Sequence, residues 1–249
     1  MEGLYVMNQT KIIAHRGSKG THPENTLEAI EEAVRVGSDG LEIDVHLSLD
    51  KEMIVIHDET VDRTTSGKGK VKDLTLTELK KMDAGNWFAP EYSNCRIPTL
   101  KEVFYFLEKI DYKGLVNIEL KTDCYSYPGI EEKVIAFVAE KNWSFTVEYS
   151  SFNYQTLIRL KRVDSSCKIA LLFKNSGENI AFLGSDIPVR MWHPQLSWFR
   201  SISLFRAPEI PVRVWTVNKS EDIQFCLSKQ VAGIITDYPQ KALEIRNNL

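Results

Sequence analysis

One alternation constrains the fold of this chain more than any other feature. Apolar runs at 12–16, 40–47, 115–121, 145–150, 168–173, 189–193, 212–217 and 232–237 recur along it, each followed by sequence of helical character. The helical pattern is plainest over 26–36, where Leu27, Ile30, Ala33 and Val34 share one face and Gly37 ends the run. Asn25 stands where a cap belongs, with Glu28 three residues later as in a capping box. Further helices are expected near 100–110, 129–141, 153–163, 177–183, 198–206, 220–229 and 239–247. Parallel strands need crossover connections, and eight strand–helix units in 249 residues predict an α/β fold, a (β/α)8 TIM barrel.

One connection breaks the pattern. After the strand 40–47 only LDKE separates Ser48 from the apolar run 53–58, so that run is expected to return antiparallel as a hairpin. A turn centred on Asp50 and Lys51 would set Asp44 opposite His57. Residues 59–98 then form no repeating unit. They hold TTSGKGKVKD, a short helix near 75–82 and the aromatic loop GNWFAPEY. They are too short for an independent core, so residues 1–249 are expected to be a single barrel domain with an insertion at about 59–98. The insertion should cover the C-terminal face, with Trp87 or Phe88 near a pocket mouth.

The strand ends carry polar groups that a purely structural strand avoids, because burying unpaired charge is costly. The first delivers His15 and Arg16, the second Glu42 and Asp44, the return strand His57 and Asp58, and NIELK delivers Glu119 and Lys121. Residues two apart share a strand face, so Glu42 faces with Asp44 and Glu119 with Lys121. Three clustered carboxylates suit a hard divalent cation, Ca²⁺ or Mg²⁺. Zinc is disfavoured because no HExxH or Cys/His spacing appears. Ion pairs from Glu119 to Lys121 or Arg16 are the structural alternative. Two histidines suit a general acid and a general base, and Arg16 and Lys121 suit phosphate oxygens. That set fits a phosphoester better than a glycoside. Trp215 and Phe152 are candidates to line the pocket, while His22, His46 and His193 read as rim or packing residues. Composition excludes other classes: a net charge of −3 with mixed signs argues against nucleic acid as a partner, and no apolar run approaches a membrane span. No signal peptide is visible. Cys95, Cys124, Cys167 and Cys226 lie far apart and suggest thiols in a reducing cytoplasm. Nothing in the sequence specifies self-association.

Taken together, HRG with PENT, then EIDV, the VIHD ending, IELK, VWTVN and GIITDYP resemble the glycerophosphodiester phosphodiesterase family, in the family's order over about residues 12–240. The resemblance implies a TIM barrel with a small insertion after the HD motif. It implies hydrolysis of glycerophosphodiesters such as glycerophosphocholine or glycerophosphoethanolamine to sn-glycerol 3-phosphate and an alcohol. It places the acid–base pair on His15 and His57, the metal on Glu42, Asp44 and Glu119, and phosphate contacts on Arg16 and Lys121. Alternatives are a lysophospholipase D-like or cyclising phosphodiesterase, and a binding barrel without activity. Attack by the neighbouring glycerol hydroxyl, through a cyclic phosphate, is the expected chemical route, with direct attack by water as its rival.

Overall fold

The computed structural model describes residues 9–174, 189–202 and 210–248. In chain order the elements are β1 (Lys11–His15), α1 (Leu27–Arg35), β2 (Gly40–Leu47), β3 (Met53–Val55), α2 (Leu76–Leu79), α3 (Leu100–Lys109), β4 (Leu115–Leu120), α4 (Ile130–Val138), β5 (Thr146–Ser151), α5 (Tyr154–Val163), β6 (Ile169–Phe173), β7 (Trp192–Pro194), α6 (Leu196–Ile202), β8 (Arg213–Val214), α7 (Ser220–Ser228), β9 (Gly233–Thr236) and α8 (Pro239–Asn247). The helix expected near 177–183, and residues 203–206 of the one expected near 198–206, lie outside the described residues.

Eight strands run parallel in the order β7-β6-β5-β4-β2-β1-β9-β8. Parallel bridges from Trp192 to Val212 and from Gln195 to Trp215 join the two ends, so the sheet closes. This is a (β/α)8 TIM barrel. The two-residue period of each strand sorts its side chains. Leu41, Ile43 and Val45 of β2 and Val116, Ile118 and Leu120 of β4 are fully buried in the core that includes helix residues such as Ile30, Phe104 and Leu160. Their alternates are Glu42 and Asp44, and Asn117 and Glu119. Ile13, Leu115 and Ile235 cluster separately, with Trp215 against them. Phe104 of α3 meets Phe137, Trp143 and Phe145 at ring separations of 5.1, 4.9 and 5.0 Å. Removing so buried a ring costs about 3–5 kcal/mol.

The hairpin forms, but one residue out of the expected register. Val45 pairs with Val55, His46 with Ile54 and Leu47 with Met53, and Ile56 N donates to Asp44 O at 3.1 Å. Asp44 therefore stands opposite Ile56 and not His57. The turn is the reason. Ser48 N donates to Glu52 O, and Lys51 takes φ 65, which closes a three-residue loop centred on Asp50.

The insertion shares a second apolar cluster with the return strand: Val61, Val71, Leu79, Ala84 and Ile97 pack with Ile54 and Ile56. It anchors on the return strand through Val55 N to Pro98 O and through an antiparallel bridge from Ile54 to Thr99. Its short α2 starts with a capping box between Thr75 and Glu78. None of the residues of the aromatic loop lines the cavity described below. Trp87, Phe88 and Tyr92 pack edge to face on one another, Trp87 Nε1 donates to Ala84 O, and Tyr92 lies 5.2 Å from the His22 ring.

Candidate active site

β1 ends at His15, and the chain then bends sharply. Arg16 takes φ 54 and Gly17 φ 77. A Cβ at Gly17 would stand 2.6 Å from the Ala29 backbone, so only glycine lets this bend press on α1. The bend aims Arg16 inward. Its N–H donates to Glu42 Oε2 at 3.0 Å, Nη1 to Glu24 Oε1 at 2.7 Å, and Nε lies 3.3 Å from Asp44 Oδ2. The loop before α1 supplies the next layer. Asn25, at φ 58, donates through Nδ2 to Asp44 Oδ2 at 2.9 Å. Asn25 does not cap the helix, as its spacing suggested. Thr26 does, its Oγ1 accepting from Ala29 N. Backbone strain of this kind is stored where side chains must be aimed.

The register brings the carboxylates together. His15 pairs with Glu42 across β1 and β2, and Asp44 pairs with Glu119 across β2 and β4. Oxygens of Glu42, Asp44 and Glu119 lie within 4.8 Å of one another, and all three residues are buried. Lys121 Nζ donates to Glu119 Oε1 at 2.9 Å and lies 3.9 Å from Asp44 Oδ1. Two cations face three carboxylates. Asp44 falls well below the ordinary carboxylate range: burial opposes this, but Arg16, His57, Lys121 and Asn25 outweigh it. Glu42 is pushed well up, by burial first and then by Asp44 and Glu119. Glu119 is raised, again chiefly by burial, with Lys121 opposing. The cluster is short of one positive charge. Glu42 Oε1 and Asp44 Oδ1 are buried without a hydrogen-bond partner among the described residues. Orphaned hard oxygens in that arrangement fit a divalent cation such as Ca²⁺ or Mg²⁺.

Each histidine is held by its own carboxylate. His15 Nδ1 lies 2.6 Å from Asp237 Oδ1, and His57 Nδ1 lies 2.6 Å from Asp58 Oδ1. Both aspartates are shifted down and ionised: Asp237 falls to about 2 despite burial, through His15, Lys19 and Asn218, and Asp58 is lowered first by the His57 hydrogen bond. An ionised carboxylate only accepts, so each Nδ1 carries the proton and Nε2 is the working nitrogen. Burial, ahead of the opposing Asp237 bond, lowers His15 to about 4, so it is neutral at pH 7.

Several supports escaped the sequence reading. Asp237 belongs to GIITDYP, and Asn218 of VWTVN donates to its Oδ2 at 2.8 Å and accepts from its N–H. Arg63 of the insertion bridges Glu24 and Asp58, at 2.7 and 2.6 Å. For Asp237 and Asn218 the signal was only that GIITDYP and VWTVN carry a charged and an amide residue with no assigned role; Arg63 stood in no motif. His46, fully buried, lies 3.0 Å from both Tyr127 Oη and His57 O, a packing role as expected. His193 is buried with neither ring nitrogen bonded among the described residues.

His15, Arg16, Glu42, His57, Glu119, Lys121, Phe152 and Trp215 all line one cavity of about 620 Å³, with Glu59, Asn117, Asp123, Leu172, Phe173, Lys174 and Ile235. Phe152 and Trp215 meet edge to face at 5.6 Å. Trp215 Nε1 donates to His193 O.

Comparison with known proteins agrees with this geometry. The model of the Glycerophosphoryl diester phosphodiesterase family matches residues 15–241. A glycerophosphodiester phosphodiesterase of Caldanaerobacter subterraneus is 41% identical over 95% of this chain and 98% of its own. One of Bacillus altitudinis is 38% identical over 96% and 99%. The structure of an Oleispira antarctica phosphodiesterase in complex with the product sn-glycerol-3-phosphate superposes with a TM-score of 0.83, at 31% identity, covering 96% of this chain and 97% of that one. A match that spans both the strand-end polar groups and the barrel carrying them leaves one conclusion: the chain belongs to the glycerophosphoryl diester phosphodiesterase family and is a phosphoric diester hydrolase.

Proposed function

We propose that the protein hydrolyses water-soluble glycerophosphodiesters to sn-glycerol 3-phosphate and an alcohol, with a divalent cation on Glu42, Asp44 and Glu119 and with His15 and His57 moving the protons. The carrying observation is the pair of carboxylate-held histidines lining one cavity with the three carboxylates, Arg16 and Lys121. A cation held by Glu42, Asp44 and Glu119 would supply charge stabilisation at the phosphoryl oxygens and would favour loss of the attacking hydroxyl's proton. Arg16 and Lys121 hold the phosphoryl oxygens and set the phosphorus in line. Neutral His15 accepts the proton of the glycerol hydroxyl next to the phosphate-bearing carbon as that oxygen attacks phosphorus. His57, acting as the imidazolium with a second proton on Nε2, donates that proton to the departing alcohol oxygen and is left neutral, its Nδ1–H still on Asp58. Water then opens the cyclic phosphate, with the two histidines exchanging roles. Phe152 and Trp215 line the wall along which the glycerol backbone lies.

The loop GNWFAPEY stays out of the cavity lining, which favours deacylated substrates over lysophospholipids. No helix among the described residues is long and apolar enough to cross a membrane. Free thiols at all four cysteines suit a reducing cytoplasm.

The test is release of sn-glycerol 3-phosphate from glycerophosphocholine with Mg²⁺ or Ca²⁺. Turnover should vanish in excess EDTA. His15→Ala and His57→Ala should each lower kcat by at least about 10²-fold. Full activity in EDTA, or near-normal kcat in either variant, defeats the proposal. A substrate with propane-1,3-diol in place of glycerol lacks the attacking hydroxyl. Its hydrolysis at a similar rate would replace the cyclic route by direct attack of water.

A further inference from the structure

Arg63 does not line the cavity, yet its guanidinium reaches the supports of two groups that do. Nη1 and Nη2 donate to Glu24 Oε2 and Oε1 at 2.9 and 2.7 Å. Nε and Nη2 donate to Asp58 Oδ2 and Oδ1 at 2.6 and 3.0 Å. One planar group thus grips two carboxylates, each by both oxygens, which a point charge cannot copy. Each carboxylate holds a cavity residue in turn. Glu24 Oε1 accepts from Arg16 Nη1 at 2.7 Å, and Asp58 Oδ1 lies 2.6 Å from His57 Nδ1. A continuous chain of hydrogen bonds therefore runs from Arg16 through Glu24, Arg63 and Asp58 to His57.

The surroundings fix Arg63, although its side chain is 44% exposed. Val61 and Thr64 near it are buried, and Val61 N donates to Gly69 O at 3.0 Å. The Trp87 ring centre lies 6.0 Å from the guanidinium carbon, so the aromatic loop backs the arginine. Burial opposes the charge on Glu24, but Arg63 and Arg16 hold its carboxyl at about 2. Asp58 is partly exposed and would turn toward water without Arg63. Exposed ion pairs add little stability, so this arrangement bears on aim more than on the fold. Aim matters, because a misplacement of about 1 Å can cost about 10²-fold in rate.

Resting on the proposed function above, we infer that Arg63 is a positioning residue for both parts of the reaction: through Glu24 it sets Arg16 against the phosphate, and through Asp58 it points His57 at the departing alcohol.

The test uses the intact protein with Mg²⁺ or Ca²⁺ and two esters of glycerol 3-phosphate. The ethanolamine ester needs its alcohol protonated as it leaves, whereas p-nitrophenolate leaves the aryl ester without a proton. In Arg63→Ala, kcat/KM for the aryl ester should fall by about three- to tenfold, through Arg16 alone. For the ethanolamine ester the loss should be greater by a further factor of about ten, because protonation by His57 suffers as well. A merely structural role would lower both esters alike. Arg63→Lys keeps the charge but cannot grip both carboxylates, so its ratio of the two esters should lie closer to that of Arg63→Ala than to the parent's. It carries the same comparison if the alanine variant does not fold, which a melting curve would show. Equal losses on the two esters, an aryl ester cleaved at the parental kcat/KM, or a parental ratio in Arg63→Lys each overturn the inference and leave the proposed function standing. Failure of the parent to cleave the ethanolamine ester overturns the proposed function itself, and this inference with it.

Discussion

At the residue scale the site depends on carboxylates that never touch the substrate. Asp237 fixes the His15 tautomer from 222 residues away. Asp237→Asn should keep the fold but lower kcat at least about tenfold, with a smaller change in KM, since the amide can also donate and so admits the wrong tautomer. A steady-state assay across pH checks this, and an unchanged kcat would remove Asp237 from the machinery. Glu42 offers a test with the opposite sign. Its carboxyl is raised by burial and by its two acidic neighbours, so the charge costs stability when nothing neutralises it. Glu42→Gln should match or exceed the metal-free parent in chemical denaturation, yet lose the gain that Mg²⁺ or Ca²⁺ brings. The residues that carry unusual polarity at strand ends were all legible in the sequence: His15, Glu42, Asp44, His57, Glu119 and Lys121. Asp237, Asn218 and Arg63 were not, because their partners are set by barrel closure and by the insertion's path.

At the element scale the bend between β1 and α1 aims the first two functional side chains. Gly17→Ala places a methyl group against the Ala29 backbone at φ 77. It should destabilise by about 2–3 kcal/mol, seen as a lower denaturation midpoint, and should reduce turnover by displacing Arg16. A midpoint within error of the parent would show that the bend relaxes. The strands and most helices followed from periodicity, since their apolar spacing is a local property. The hairpin register did not, because the loop closes on Lys51 in a left-handed conformation, which no hydrophobic pattern encodes. Thr26 as the cap was missed for a related reason: Asn25 is drawn away to Asp44.

At the scale of the whole molecule, the barrel also buries polar side chains outside the cavity lining, His193 and Arg213 among them. His193 is held well below its ordinary range by burial and then by Arg213. The unfolded chain takes up a proton near pH 6.5 that the folded one refuses, so stability is lost as pH falls through that value. Between pH 6.5 and 5.5 the loss from this one group is about 1 kcal/mol. Denaturation of the parent and of His193→Asn at the two pH values checks it: the parent should lose more than the variant by about that amount. The three carboxylates make a second global prediction. At a metal concentration about 100 times Kd, binding should add about 2.7 kcal/mol and raise Tm by roughly 5–10 °C, reversed by EDTA. No shift in Tm would mean that the cluster holds no cation.

The pairing of β1 with β9 bears on time as well as on space. Asp237 follows the ninth strand, so His15 has no acceptor until the C-terminal part of the chain has docked beside the N-terminal part. Contacts of such long sequence separation form late and slowly. During refolding, catalytic turnover should therefore appear after helical signal and after aromatic burial around Phe104, and it serves as a clock for closure of the barrel.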